Sequence, residues 1–274
     1  MKLVALGTGT CVHPPGTPRR LPPLFALDVS EAPAPQWILF DSSEGARWRL
    51  ADAGIDPLSI AHLALSHPHP DHAALPQFVQ ARACEVGFGR AVGASLPLAL
   101  YLPRDCAQAL PDLWRWHAPE DHGVPTTRFV LTVHPADDGF THAPFPDTTL
   151  LARTVVHGGA PAVAWRVTSP HASFAYSGDS GVCDALVDVA RDVDLFVCEA
   201  AARVGDDARM RHRHLTPRQA GDIARRAGAR ALWLTHYDGR DPEAAMIDDA
   251  RASGYAGAIR VAQDGDAVTF RRGA

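Results

Sequence analysis

The stretch Ser66–His72, SHPHPDH, sets three histidines and one aspartate within six positions. Imidazole and carboxylate suit Zn²⁺, and by ligand type Mn²⁺ or iron would also be accepted. The prolines govern how these side chains point. A proline pushes the residue before it out of the α region, so Pro68 and Pro70 keep His67 and His69 extended. In an extended chain, positions i and i+2 point the same way. His67 and His69 can therefore grip one metal ion. Asp71 and His72 are adjacent, do not share that direction, and are placed to reach a second ion nearby. A polar loop with turn and capping roles would use the same residue types, and the chain holds 14 histidines among 274 residues. The metal reading requires the rest of the chain to supply the missing ligands.

The further candidates stand at strand ends. Asp41 follows WILF, SHPHPDH follows HLAL, and His157 follows LLARTVV. Asp179 follows FAYSG, and His236 follows ALWLT. Each apolar run leads into a histidine or aspartate at its C-terminal end, and such ends converge on the rim where sites of α/β proteins form.

The elements that must position them follow from short apolar runs bounded by Gly, Pro and Asp. Strands are expected at Leu3–Leu6, Leu24–Val29, Trp37–Phe40, His62–Leu65, Leu98–Leu102, Phe129–Val133, Leu150–Val156, Ala162–Val167, Phe174–Tyr176, Leu195–Cys198, Ala231–Leu234, Ile259–Val261 and Ala267–Phe270. Helices are expected at Glu44–Ala53, Leu75–Cys84, Asp184–Ala190, Pro217–Ala227 and Pro242–Ala252. The Pro217 helix is the best defined, with Thr216 as its cap, Pro217 in its first turn and Gly228 to end it. Interleaved strands and helices imply two sheets covered by helices. Pro103–Pro146, rich in Pro, His and Trp, reads first as irregular surface and second as a substrate-facing insertion. Trp114, Trp116 and His117 are its candidates for a substrate wall. His13, His62, His122, His134, His142 and His171 show no pattern and read as surface or core residues.

Composition sets the bounds. Hydrophobic residues make up 46% and charged residues 21%, as in soluble globular proteins. A formal net charge of −5 argues against a general nucleic-acid-binding surface. The apolar opening LVAL breaks at Gly7, too soon for a signal peptide, and no run approaches the length of a membrane helix. Cys11, Cys84, Cys106, Cys183 and Cys198 form no CxxC pair and read as free thiols of a reducing, cytoplasmic compartment. Gly7 and Gly9 do not make a GxGxxG loop, which removes a dinucleotide site.

An early Asp, then HxHxDH, a lone His, a lone Asp and a lone His, in that order, resembles the metallo-β-lactamase superfamily. The resemblance runs over nearly the whole chain. It is narrower still to the branch containing RNase Z, cyclic-nucleotide phosphodiesterases and some arylsulfatases. LGTGT at Leu6–Thr10, FDSSEGA at Phe40–Ala46, HLTPRQAG at His214–Gly221 and LTHYDGR at Leu234–Arg240 are similar to that branch's motifs.

The resemblance implies one domain over residues 1–274 with an α/β (α+β) fold. This is a four-layer αββα sandwich of two mixed β-sheets flanked by helices, with its site on the rim. It implies two divalent ions, Zn²⁺ in first place. His67, His69 and His157 would hold one, Asp71, His72 and His236 the other, and Asp179 would bridge them. Asp41 would orient the histidines by hydrogen bonds. A water or hydroxide between the ions would attack an anionic ester. Asp71 would be placed to take its proton, and His214, rather than His212, to stabilise or protonate the leaving oxygen.

The implied activity is hydrolysis of a small phosphodiester, a cyclic nucleotide or similar. The alternatives are tRNA 3′ processing of the RNase Z type, or sulfate ester, phosphotriester or lactone hydrolysis on the same centre. RNase Z enzymes commonly carry a long arm for tRNA between the lone His and the lone Asp. Here residues 158–178, filled mostly by two expected strands, leave no room for one. A small anionic ester is therefore favoured over nucleic acid, with no membrane partner, and the branch suggests a homodimer.

Overall fold

The computed structural model describes residues 1–30, 34–89, 97–117 and 129–272; His122 lies outside them. The described residues build two seven-stranded sheets. The first contains β1 (Lys2–Gly7), β2 (Leu24–Asp28), β3 (Trp37–Phe40), β4 (His62–Ala64), β5 (Leu98–Pro103), β6 (Leu131–Ala136) and β14 (Ala267–Thr269), in the order β14-β1-β2-β3-β4-β5-β6. The second contains β7 (Thr141–Phe145), β8 (Thr148–Thr154), β9 (Val163–Thr168), β10 (Ser173–Tyr176), β11 (Leu195–Glu199), β12 (Ala231–Thr235) and β13 (Ala258–Val261), in the order β13-β12-β11-β10-β9-β8-β7.

Each sheet is antiparallel on one side and parallel on the other. The parallel sides are β3-β4-β5-β6 in the first sheet and β10-β11-β12-β13 in the second. Their C-terminal ends form the rim.

Side-chain period makes the layers. Alternate residues of a strand face opposite sides. One set, including Phe25, Phe40, Tyr101, Trp165, Phe174 and Tyr176, fills the space between the two sheets. The opposite set of the first sheet packs against α1 (Ala46–Asp52), α2 (Leu75–Gly87) and α3 (Arg104–His117). That of the second packs against α4 (Asp184–Val189), α5 (Pro217–Ala227) and α6 (Glu243–Arg251). The result is the expected αββα sandwich of mixed sheets. Each fully buried aromatic or aliphatic side chain contributes on the order of 1.5–3 kcal/mol.

α5 forms over the residues expected for it. The Thr216 side chain accepts from the Gln219 N–H, the Gln219 side chain accepts from the Thr216 N–H, and Gly228 closes the helix at φ 70°. This capping box fixes the helix start three residues beyond His214.

The structure differs from the sequence reading between Pro103 and Pro146. α3 occupies Arg104–His117, with Pro111 inside it. Pro111 disfavours a helix there, yet the buried pair Leu110 and Trp114, four residues apart, anchors one face to the outer core. Trp114 is thus a core residue and no substrate wall, while Trp116 is 82% exposed. β7 is a further addition, and β6 begins and ends later than Phe129–Val133.

Three histidines without a sequence pattern meet around Tyr101. His62 Nδ1 lies 2.9 Å from the Tyr101 hydroxyl, and the rings of His134 and His142 pack on Tyr101 and on each other. Burial, then the neighbouring His142 and His134, push His62 down to about 4. The unfolded chain takes this proton below about 6.5, the folded chain only below about 4. Stability therefore falls as pH drops through that window. The melting temperature of His62→Gln is expected to fall less between pH 7 and 5 than that of the unaltered protein; equal falls would refute this.

Candidate metal centre

The rim gathers every candidate the sequence reading placed on it. Asp41 follows β3, the SHPHPDH loop follows β4, His157 follows β8, Asp179 follows β10 and His236 follows β12. Asp41 (φ 63°) and His236 (φ 58°) both sit in the left-handed region, which disfavours residues with a Cβ. Two such residues at one rim mark a place where the surrounding structure imposes the backbone.

The candidate ligand atoms fall into two groups, and a further set, Asp179/Glu199/His214/His236, overlaps them. In the first, His69 Nδ1 lies 3.1 Å from both His67 Nε2 and His157 Nε2. In the second, Asp71 Oδ2 lies 3.8 Å from His72 Nε2 and 3.5 Å from His236 Nε2. Asp179 stands between them. Its Oδ2 faces His67 Nε2 at 3.6 Å and His157 Nε2 at 3.8 Å. Its Oδ1 faces His72 Nε2 at 3.2 Å and His236 Nδ1 at 3.3 Å. The sets His67/His69/His157/Asp179 and Asp71/His72/His236 each hold their ligand atoms within 4.8 Å of one another.

Hydrogen bonds aim these rings. Asp41, fully buried, accepts from the Ser66 N–H and Oγ, from Tyr176 Oη at 2.6 Å and from His72 Nδ1 at 2.7 Å. With Nδ1 held there, His72 presents Nε2 to the centre. His157 Nδ1 donates to the Arg213 carbonyl at 2.8 Å, which likewise leaves Nε2 free to point inward. Such outer partners fix the tautomer and orientation of metal-binding histidines.

The electrostatics are those of a crowded, dry cluster. Burial, then the neighbouring His72, push His67 down to about 2. Burial also lowers His157. Burial opposes the charge on Asp179, but His236, His72 and His67 hold its carboxyl well below the usual range. Asp71 is likewise lowered against its burial, by the facing His236 ring and the charge of His72. His72 is driven the other way: burial opposes its charge, and Asp179 and Asp41 raise it well above the ordinary value.

The donor set fits metal ions. His72 Nε2, Asp179 Oδ1 and both ring nitrogens of His236 are buried and make no hydrogen bond among the described residues. Buried polar atoms are ordinarily paired. Here the unpaired atoms converge, and imidazole with carboxylate is a donor set suited to Zn²⁺.

His214 comes to the same place and His212 does not. The His214 ring packs 5.1 Å from that of His157 and 5.4 Å from that of His236. His212 is exposed and accepts from its neighbour Arg211. The sequence reading missed the partner of His214. Glu199, 1% exposed, accepts from His214 Nδ1 at 2.9 Å. Burial works against a charge on His214, but the Glu199 carboxylate and its hydrogen bond raise it to about 9. Glu199 also accepts from the backbone N–H groups of Ser180, Leu215 and Ala201, so donors already occupy both its oxygens. It closes β11 (LFVCE), so the strand-end rule that picked out Asp41 and His236 would have found it.

The five cysteines are free, Cys11 exposed and Cys198 buried. No helix among the described residues is long and apolar enough to cross a membrane.

A family model described as a beta-lactamase superfamily domain matches residues 36–237. Ribonuclease Z of Thermobifida fusca is 29% identical over 267 residues, covering 83% of each chain. Among solved structures, the metallo-beta-lactamase fold protein YhfI from Bacillus subtilis superposes with a TM-score of 0.79 at 18% identity, covering 97% of this chain and 98% of that one. The short form of human tRNase Z superposes with a TM-score of 0.73 at 22% identity, covering 98% and 99%. The two structural likenesses concern the fold.

Proposed function

We propose a function from one premise: the chain belongs to the beta-lactamase superfamily and is one of its hydrolases. On our reading it is a dinuclear metal-dependent phosphodiesterase for a small phosphodiester, such as a cyclic nucleotide. The observation that carries this is Asp179, which turns one oxygen to each of two histidine groups. His67, His69 and His157 would hold one divalent ion, Asp71, His72 and His236 would hold the other, and Asp179 would serve both. Bound there, two Zn²⁺ ions supply a lowered pKa for water and a positive field for the developing charge of the diester.

The chain's own residues do the rest. Asp41 keeps the His72 ring in place from behind. Asp71, whose Oδ2 accepts from the Cys11 N–H at 3.2 Å, takes the proton of the attacking water. His214, seated on Glu199, gives a proton to the leaving oxygen.

Residues 158–178 support a small substrate. They build β9 and β10 within the second sheet, and the link between these strands is only Ser169–Ala172. A second reading, tRNA 3′ processing, rests on the likeness to Ribonuclease Z. The net charge of −5 and the short link weigh against it. Sulfate esters, phosphotriesters and lactones are the remaining classes for such a centre.

The test is elemental analysis of protein purified with supplemented metal, followed by turnover on a panel. The panel holds cyclic nucleotides, a chromogenic phosphodiester, a sulfate ester, a lactone and pre-tRNA. About two ions per chain and preference for the small diesters are expected. Less than one ion per chain would sink the two-metal proposal, and preference for pre-tRNA would replace the small substrate.

A further inference from the structure

We propose that the cleft joining Asp71 to Trp48 is a nucleoside subsite, in which the substrate's base stacks on the Trp48 indole and Arg19 faces its anionic part. The proposal rests on the phosphodiesterase reading and names its substrate class: a phosphodiester that carries a nucleobase.

The cleft holds about 520 Å³, within the range of roughly 300–1,000 Å³ typical of ligand sites. It meets the candidate centre at Asp71, which lines it together with Pro70. The loop between β1 and β2 contributes His13 and Arg19, and the start of α1 contributes Glu44 and Trp48. A small ester bound at Asp71 would lie in this cleft.

Trp48 is built for a flat ligand. It is 63% exposed although α1 had a core to bury it in. The Arg47 guanidinium lies 4.4 Å from the ring centroid and steadies it by cation–π contact. An exposed, steadied indole accepts any base, because every base has a π-face.

The cations of the cleft divide into occupied and available. The Arg49 guanidinium donates to the carbonyls of Leu6, Pro22 and Glu44. Arg20 pairs with Glu243 and lies over the Tyr237 ring. Arg19 has no hydrogen-bond or ion-pair partner among the described residues, and its planar fork suits the oxygens of a phosphate. Glu44, exposed on the same wall, is an acceptor for a base amino group or a ribose hydroxyl. An aryl phosphodiester could stack on Trp48 and meet Arg19 but would leave Glu44 unused; a nucleotide uses all three.

The experiment is equilibrium binding of 5′-AMP and of ribose 5-phosphate to the metal-loaded protein. 5′-AMP is expected to bind about 10-fold more tightly, in line with one base stacked on an aromatic side chain. Trp48→Ala should remove that advantage while leaving ribose 5-phosphate within 2-fold, and Trp48→Phe should retain most of it. Arg19→Ala should weaken both ligands alike. Equal binding of the two ligands by the unaltered protein, or an AMP advantage that survives Trp48→Ala, would overturn the proposal. Turnover of bis(p-nitrophenyl) phosphate on the same preparations tests the underlying reading separately. Its absence removes the phosphodiesterase, whereas the base preference stands or falls on binding alone.

Discussion

Asp179→Ala is expected to leave less than one metal ion per chain and to lower diesterase turnover by more than about 100-fold, beyond the 10–100-fold typical for partners behind a ligand. Asp179 is the carboxylate that His67, His157, His72 and His236 all face. On the proposed reading its loss would take a carboxylate from both groups at once and leave less negative charge to offset two dications. Elemental analysis and a turnover assay read both effects. The comparison is Asp41→Asn, where asparagine tolerates the left-handed backbone at φ 63°. It keeps one acceptor oxygen but meets donors from Ser66, Tyr176 and His72 with an NH₂ group of its own. Metal affinity should fall about 10–100-fold, with ions still bound at high metal concentration. If Asp179→Ala keeps two ions, the bridging role is wrong.

The second large effect belongs to His214. His214→Ala should lower turnover by about 10²–10⁴-fold, the usual worth of a positioned general acid, with metal content unchanged. Loss of metal instead would make His214 a ligand and reassign the roles. Glu199→Gln should act through His214. Four N–H donors converge on the Glu199 carboxylate, and a glutamine amide must turn its own NH₂ toward some of them. Turnover falls, and the His214 ring loses its seat. In the double variant, the Glu199 change should add little to the His214 loss, since both remove one unit of function. Independent, multiplying losses would show that Glu199 acts elsewhere, on the fold of the β11 end.

Much of this architecture could be read from residue order. Short apolar runs bounded by Gly, Pro and Asp located nearly every strand, since a strand covered on both faces is apolar along its length. Trp37–Phe40 and the Pro217 helix came out with their bounds because hard signals flank them: a buried run into Asp41, and a capping box with Gly228. α3 did not, because its stability comes from Leu110 and Trp114 meeting the outer core, a tertiary effect that overrides Pro111. At the site, the histidines and aspartates were legible through strand ends. Glu199 obeyed the same rule yet was passed over, because its partner His214 lies in a loop and only the folded chain brings them to 2.9 Å. The role of Trp48 was illegible for the same reason: an exposed indole gains meaning only from the cleft beside it.

The SHPHPDH loop is tied to the second sheet before any ligand is considered. Ser66 O accepts from the Val163 N–H at 2.9 Å, Leu65 O accepts from the Trp165 indole at 3.1 Å, and Tyr176 reaches across to Asp41. Gly178 lies so close that a Cβ there would stand 2.5 Å from that of Ser66. The reactive apparatus is thereby inherited from the packing of the two sheets. Trp48, Arg19 and His13, by contrast, stand exposed on α1 and the β1–β2 loop. Substitution there touches no strand of the seam. A lineage carrying this sandwich can change what it admits while its chemistry stays constant, and the outer wall of the cleft is where such divergence would be written.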